Sequence, residues 1–230
     1  MSNWSGNIVM SNCTFIGNFS ESSGAGLDAS GTVELNNCTF HGNWAYQESA
    51  IAKGSSSILN IRNCIIWNGQ NAISDINSST ITITYSNIQC GWEGEGNIDL
   101  DPLFANPGYW ADANDPNIIV EPNNPNSVWV EGDYHLKSQA GRWNPNTQTW
   151  VQDDVTSPCI DAGDPNSPIG LEQFPNGGYI NMGAYGGTSE GSKSYFGKPV
   201  CETIIAGDIN GDCKVDETDL EILMLHWLDE

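Results

Sequence analysis

A segment of about 25 residues recurs four times before residue 90, and a period of that length excludes most folds at once. IVMSNCTFIGN (8–18) returns as TVELNNCTFHGN (32–43), as LNIRNCIIWNG (59–69) and, weakened, as ITITYSNIQ (81–89). Aligned on their asparagines, the copies place Asn12, Asn37, Asn63 and Asn87 at spacings of 25, 26 and 24 residues. Each copy opens on alternating apolar residues: Ile8/Met10, Val33/Leu35, Leu59/Ile61 and Ile81/Ile83. Period two is the mark of a strand with one buried face. Small residues separate the copies, as in GAGLDASG and AIAKGSSS, and read as second strands and turns. Two or three short strands in such a repeat make one turn of a parallel β-helix. A leucine-rich repeat has a similar length, but its spaced leucines are missing. A helical repeat needs a 3.6-residue period, which is absent.

Stacking has consequences for single residues. Equivalent positions of adjacent coils lie about 4.8 Å apart. Asn12, Asn37, Asn63 and Asn87 are therefore expected to form a ladder whose amides bond from coil to coil. Cys13, Cys38 and Cys64, next in each copy, are expected to stack inward as small buried residues. A disulfide between neighbouring coils is the alternative that the spacing permits. The seven cysteines form no CxxC pair, which argues against a zinc site.

The NNCTF and CIIWNG motifs resemble the right-handed parallel β-helix proteins of the pectate-lyase-like superfamily. Within it, they are most similar to the secreted repeat proteins of planctomycete-type bacteria. The order DPLF, YHL, SPCIDAGDP, NMGAYGG along residues 101–187 is similar to the C-terminal region of the same proteins. The resemblance thus spans nearly the whole chain. It implies an all-β solenoid with a β/loop cap, and no single activity, because the family has none.

On this reading residues 1–104 are β-helix coils, truncated at the N-terminus, with Met1 an internal start because a repeat is already running by residue 8. Residues 105–200 form the cap, which must cover the exposed core end of the solenoid. RWNPNTQTWV (142–151) reads as a hairpin around an Asn-Pro-Asn turn. SPCIDAGDP reads as a short buried strand between turns, with Asp161 and Asp164 binding backbone amides. The Asn/Pro-rich stretch 105–128 reads as a long loop or excursion.

The last thirty residues differ. DINGDCKVDETD (208–219) places Asp208, Asn210, Asp212, Asp216 and Asp219 at positions 1, 3, 5, 9 and 12 of an EF-hand-type loop. Lys214 at position 7 would lend its carbonyl. A hard Ca²⁺ ion takes six to eight oxygens in this rhythm. The alternative is an acidic turn that caps a helix through Asp216 or Thr218. Asp at position 12, Val215 at position 8 and the helical run from about Thr218 resemble a dockerin repeat, which implies a Ca²⁺ cofactor and an anchoring or assembly role. Two features depart from that pattern. Cys213 stands where glycine makes the sharp turn, and a dockerin has two repeats where one is visible. Cys201 and Cys213 are a candidate disulfide bracing the loop. The helix would present Leu220, Leu223, Met224 and Trp227, an apolar face that must pack on the cap, on residues 200–207 or on another chain.

No catalytic constellation is legible. The charged residues of the coils, Asp28, Glu34, Glu48, Lys53, Arg62 and Asp75, do not align at stacked positions. His41 reads as a surface turn residue. The nine tryptophans are more informative. Trp44 and Trp67 fall at the same turn after the cysteine, and Trp92, Trp110, Trp129 and Trp143 in loops. These six are candidates for stacking on sugar faces, with burial in the cap as the competing role.

A formal net charge of −22, from 29 acidic and 7 basic residues, disfavours nucleic acid and anionic membrane surfaces as partners. No apolar stretch is long enough to cross a membrane as a helix. The expectation is an extracellular or cell-surface module whose partner is a polysaccharide or a cell-surface protein. A fragment of a polysaccharide lyase or hydrolase is the enzymatic alternative. Self-association into fibres through the open coil end is a third reading.

Overall fold

The computed structural model describes residues 6–46, 50–54, 57–69, 72–75, 80–197, 206–207 and 214–226. Its first part is a parallel β-helix. The first coil runs through β1 (Asn7–Ser11), β2 (Thr14–Ile16), β3 (Phe19–Ser20) and β4 (Leu27–Ala29). The second repeats it as β5 (Thr32–Asn36), β6 (Thr39–His41), β7 (Trp44–Ala45) and β8 (Ile51–Lys53). The third holds β9 (Ile58–Arg62), β10 (Ile65–Trp67) and β11 (Ile73–Asp75). The fourth holds β12 (Thr80–Thr84) and β13 (Asn87–Ile88). Like strands pair in parallel, giving sheets β1-β5-β9-β12, β2-β6-β10-β13, β4-β8-β11 and β3-β7.

The alternating residues stack as their period requires. Ile8, Val33, Leu59 and Ile81 are register partners, as are Met10, Leu35, Ile61 and Ile83. With Leu27, Ile51, Phe40, Ile66 and Ile88 they line the interior of the coils. Cys38 and Cys64 are fully buried there, and Cys13 partly. All three are free thiols, so no disulfide joins neighbouring coils. In parallel in-register strands the thiols instead meet backbone: Cys38 N–H donates to Cys64 Sγ at 3.3 Å.

The asparagine ladder needs correction. Asn12, Asn37 and Asn63 occupy one corner with left-handed φ of 53°, 51° and 54°, a conformation asparagine tolerates. In the fourth coil the corner is held by Tyr85, φ 48°, and Asn87 is the register partner of Ile65. The last coil is shorter, so alignment on its only nearby asparagine slips by two residues. Nor do the corner amides bond mainly to one another. Asn63 Nδ2 reaches Asn37 Oδ1 at 3.3 Å, but Asn37 Nδ2 donates to the Asn181 carbonyl at 2.9 Å. Asn12 Nδ2 donates to the carbonyls of Ala184 and Gly186 at 2.9 and 2.8 Å. The corner is the seat of the cap.

A true ladder lies at the next corner. Asn18 Nδ2 donates to Asn43 Oδ1 at 2.7 Å, and Asn43 Nδ2 to Asn68 Oδ1 at 3.1 Å. These are the asparagines of the IGN, HGN and WNG triplets.

The cap begins with β14 (Phe104–Asn106), antiparallel to β18 (Asp133–Leu136). Between them, the stretch expected as a loop is a three-stranded antiparallel sheet: β15 (Tyr109–Asp112) between β16 (Asp115–Ile119) and β17 (Ser127–Val130). Its strands are short and β16 is exposed throughout, so hydrophobic alternation does not reveal them. The expected hairpin is present as β19 (Arg142–Asn144) and β20 (Thr149–Val151), with Trp143 opposite Trp150.

SPCIDAGDP forms turns rather than the expected strand. Its backbone bonds go to the coil corner and the following loop, which satisfies it without a ladder: Asp164 N–H donates to Asn63 Oδ1 at 2.7 Å and Cys159 O accepts Met182 N–H at 2.9 Å. Asp161 and Asp164 do bind backbone amides, of Gly177 at 3.0 Å and Asn166 at 2.9 Å. At the C-terminus, α1 (Glu217–His226) stands close to where the sequence places it.

Candidate functional site

The excursion sheet is what turns a smooth coil face into a groove. Gly17 and Gly42 sit at equivalent turns with φ of 58° and 66°, and the Trp129 ring of β17 lies directly over both. A Cβ on Gly42 would fall 2.1 Å from Trp129 and one on Gly17 2.3 Å from it, so the sheet docks only where side chains are missing. Trp110 on β15 packs edge-on against Trp129, with ring centroids 5.4 Å apart. Its indole Nε1 donates to the Gly42 carbonyl at 2.9 Å, which locks its ring in place.

Trp110 thereby faces the coil as one wall of an open groove of about 310 Å³. The other lining residues are His41, Asn43, Trp44, Trp67, Asn68 and Gln89, with Gly42, Gly69 and Pro122. Trp44 continues the aromatic surface beyond the groove. It stacks on Phe19 of the preceding coil at 5.2 Å, and packs edge-on against the exposed Tyr46.

His41 is not a surface turn residue. It lies on β6, in register with Trp67, and its ring packs among Phe104, Trp129 and Tyr134. The residue after the strand makes the turn, so the Gly-Asn that follows His41 marks its position one step too late. Burial lowers its pKa, opposed by hydrogen bonds to the carbonyls of Trp67 and Gly108. Nδ1–H donates to the Trp67 carbonyl at 2.9 Å.

The structure sorts the six tryptophans. Trp44, Trp67 and Trp110 come together at the groove. Trp44 and Trp67 do not share one turn, because Trp67 pairs with His41 and Trp44 with Phe19. Trp129 is the support beneath Trp110. Trp92 packs against the interior of the coils. Trp143 is paired with Trp150 on the hairpin, away from the groove. The amide-bearing lining residues Asn43, Asn68 and Gln89 belong to no tryptophan pattern, although the HGN and WNG triplets of the repeat mark two of them.

A second polar cluster lies inside the cap. His135 contacts Asp133 through Nδ1 at 2.6 Å and Glu190 through Nε2 at 3.1 Å, and stacks on Tyr185 at 3.6 Å. Arg142 binds Asp153 at 3.1 and 3.2 Å and Asp133 at 3.2 Å. His135 is 1% exposed, so its ring is buried where this network ties cap strands together.

Of the charged residues of the coils, Asp28, Glu34 and Arg62 pair in register with uncharged residues, as expected, but one pair does align. Lys53 and Asp75 are register partners in adjacent coils, and Lys53 is buried. The uneven length of the intervening turns hides this in the sequence. Of the loop residues expected to bind calcium, Lys214, Asp216 and Asp219 are described, while Asp208, Asn210 and Asp212 lie outside the described residues. So do Cys201, Cys213, Trp227 and Glu48. Asp216 caps α1 by accepting from Thr218 N–H at 2.9 Å. Asp219 is only 2% exposed, and its Oδ2 accepts from Asp216 N–H at 2.9 Å. Leu220, Leu223 and Met224 are exposed.

The family model described as disaggregatase related matches residues 31–163, more than half of the chain. The match runs from the second coil through the excursion sheet and the hairpin. No curated protein and no solved structure matches.

Proposed function

The chain belongs to the disaggregatase-related family, and from that footing we propose that it is an extracellular or cell-surface β-helix module that binds a carbohydrate and is anchored through a calcium-dependent C-terminal motif. One observation carries the binding role: Trp44, Trp67 and Trp110, far apart in sequence, line one open groove together with the Gln89 amide. Aromatic faces beside hydrogen-bonding amides suit sugars, which have apolar C–H faces and polar rims. Affinity electrophoresis of the chain through gels containing soluble polysaccharides tests it. Retardation by at least one glycan is expected, and mobility unchanged in all of them would end the binding role. Release of unsaturated products from an acidic polysaccharide would replace it with the lyase reading.

The anchoring role rests on the loop's oxygen spacing and its likeness to a dockerin repeat. Asp208, Asn210, Asp212, Asp216 and Asp219 would supply side-chain oxygens and Lys214 its carbonyl. The ion would draw these carboxylates together at the start of α1. Calorimetric titration with Ca²⁺ is expected to show one site in the wild type and none in Asp208→Ala. Absence of heat in the wild type would remove the metal.

A further inference from the structure

We infer that the groove takes an uncharged glycan, read by hydroxyl or N-acetyl groups, and rejects acidic polysaccharides. The inference rests on the carbohydrate-binding reading and deepens it.

Among the described residues, the lining carries no lysine, arginine, aspartate or glutamate. The ionisable side chain among these described residues is His41, whose ring is engaged by the Trp67 carbonyl. The described cations are committed elsewhere or lie off the groove. Arg62 contacts Asp164 at 3.4 Å, and Arg142 is held between Asp133 and Asp153. The Lys193 ammonium lies 4.3 Å above the Trp150 ring, and Lys53 is buried. A uronate or sulfate in the groove would therefore meet no cationic partner among the described residues. It would also sit in the field of a chain of formal charge −22.

What the groove does offer is suited to neutral polar groups. The Gln89 side-chain oxygen is taken by Gly69 N–H, while its amide nitrogen is bonded to none of the described residues. The indole nitrogens of Trp44 and Trp67 likewise make no hydrogen bond to described residues, whereas that of Trp110 is spent on holding its ring in place. Donors beside aromatic faces match hydroxyl and carbonyl oxygens on a sugar ring. The Phe19–Trp44 stack extends the platform across two coils, so the ligand is a chain rather than a monosaccharide.

The test is titration of the whole chain, by calorimetry and tryptophan fluorescence, with three hexasaccharides. Two are neutral, a β-linked glucan and a β-linked N-acetylglucosamine oligomer, and one is a polyuronate. Each is run with Ca²⁺ and with EDTA. Binding of a neutral oligomer, insensitive to salt and EDTA, is expected. Trp110→Ala and Gln89→Ala should each weaken it at least about tenfold, the loss of a stacked ring or hydrogen bond. Circular dichroism confirms the fold of each variant, and Gln89→Ala serves alone if Trp110→Ala is unfolded. Gln89→Lys should gain polyuronate binding. Polyuronate binding by the wild type, with the neutral oligomers silent, overturns the inference and leaves the carbohydrate reading standing. Silence of all three, in a chain that polysaccharide gels retard, overturns the inference alone. Silence together with unretarded mobility removes both. Neutral binding that Gln89→Ala leaves unchanged, in a folded protein, overturns the placement in this groove.

Discussion

Phe40→Ala is expected to lower the stability of the β-helix by about 3–5 kcal/mol, the usual result of emptying a buried aromatic site. Phe40 is fully buried on β6, the middle of the β2-β6-β10 run, and its ring stacks on Phe15 at 4.4 Å with planes 8° apart. The space is tightly bounded: a Cβ on Gly26 would come within 3.1 Å of the ring. A solenoid holds each coil only through its neighbours, so a void in the second coil weakens both the first and the third. It also reaches the cap, because Thr39 beside it accepts the Ala184 N–H at 2.9 Å. Urea unfolding should show a lower midpoint at unchanged slope. A loss below about 1 kcal/mol would mean that the coils collapse around the void more readily than this packing allows.

Glu172→Gln should make the stability of the protein less sensitive to a rise in pH from about 4.5 to 7. Oε1 accepts the N–H groups of Asn181 and Gly187 at 2.9 and 2.7 Å, while Oε2 is buried and without a hydrogen-bond partner among the described residues. Burial pushes the carboxyl up to about 7 from an ordinary 4.5, against the two amide bonds and with the help of nearby Asp161. A group raised on folding adds stability that is fully present below its unfolded value and lost as pH rises through its folded one. The relevant window is therefore about pH 4.5 to 7. Relative to glutamine, the wild type should lose on the order of 3 kcal/mol across it. Denaturation midpoints of both proteins at pH 5 and pH 8 measure the change. A difference that is constant with pH, or that favours the wild type at pH 8, would contradict the burial of an unpaired oxygen.

The consequence is specific to the cap. Asn181 and Gly187, which Glu172 holds, flank the loop whose carbonyls sit on Asn12 and Asn37. Ionisation of Glu172 thus acts on the contact that fastens the cap along the coil corner.

The coils were legible in the sequence because their interactions are short in period. Alternation places Val33, Leu35, Leu59 and Ile61 inward without reference to anything outside the repeat. The cysteines were legible for the same reason. The fourth coil was misaligned because it is shorter and its corner residue is Tyr85, so the local signal pointed to Asn87. The groove was half legible. Tryptophan content marked candidates, but three of the six serve packing or support: Trp92, Trp129 and Trp143.

The sequence by itself determined that this chain stacks into a parallel β-helix, since a repeat with a period-two face has few other ways to bury it. It also determined which residues turn inward. Only the tertiary structure decided where the cap runs, which residues it releases from the coil corner, and which tryptophans meet. Those outcomes depend on contacts such as Asn12 with Gly186, 174 residues apart, and Trp110 with Gly42, 68 apart. No periodicity links such positions. Trp110 reaches Gly42 because two glycines, Gly17 and Gly42, leave room for the Trp129 ring it packs against.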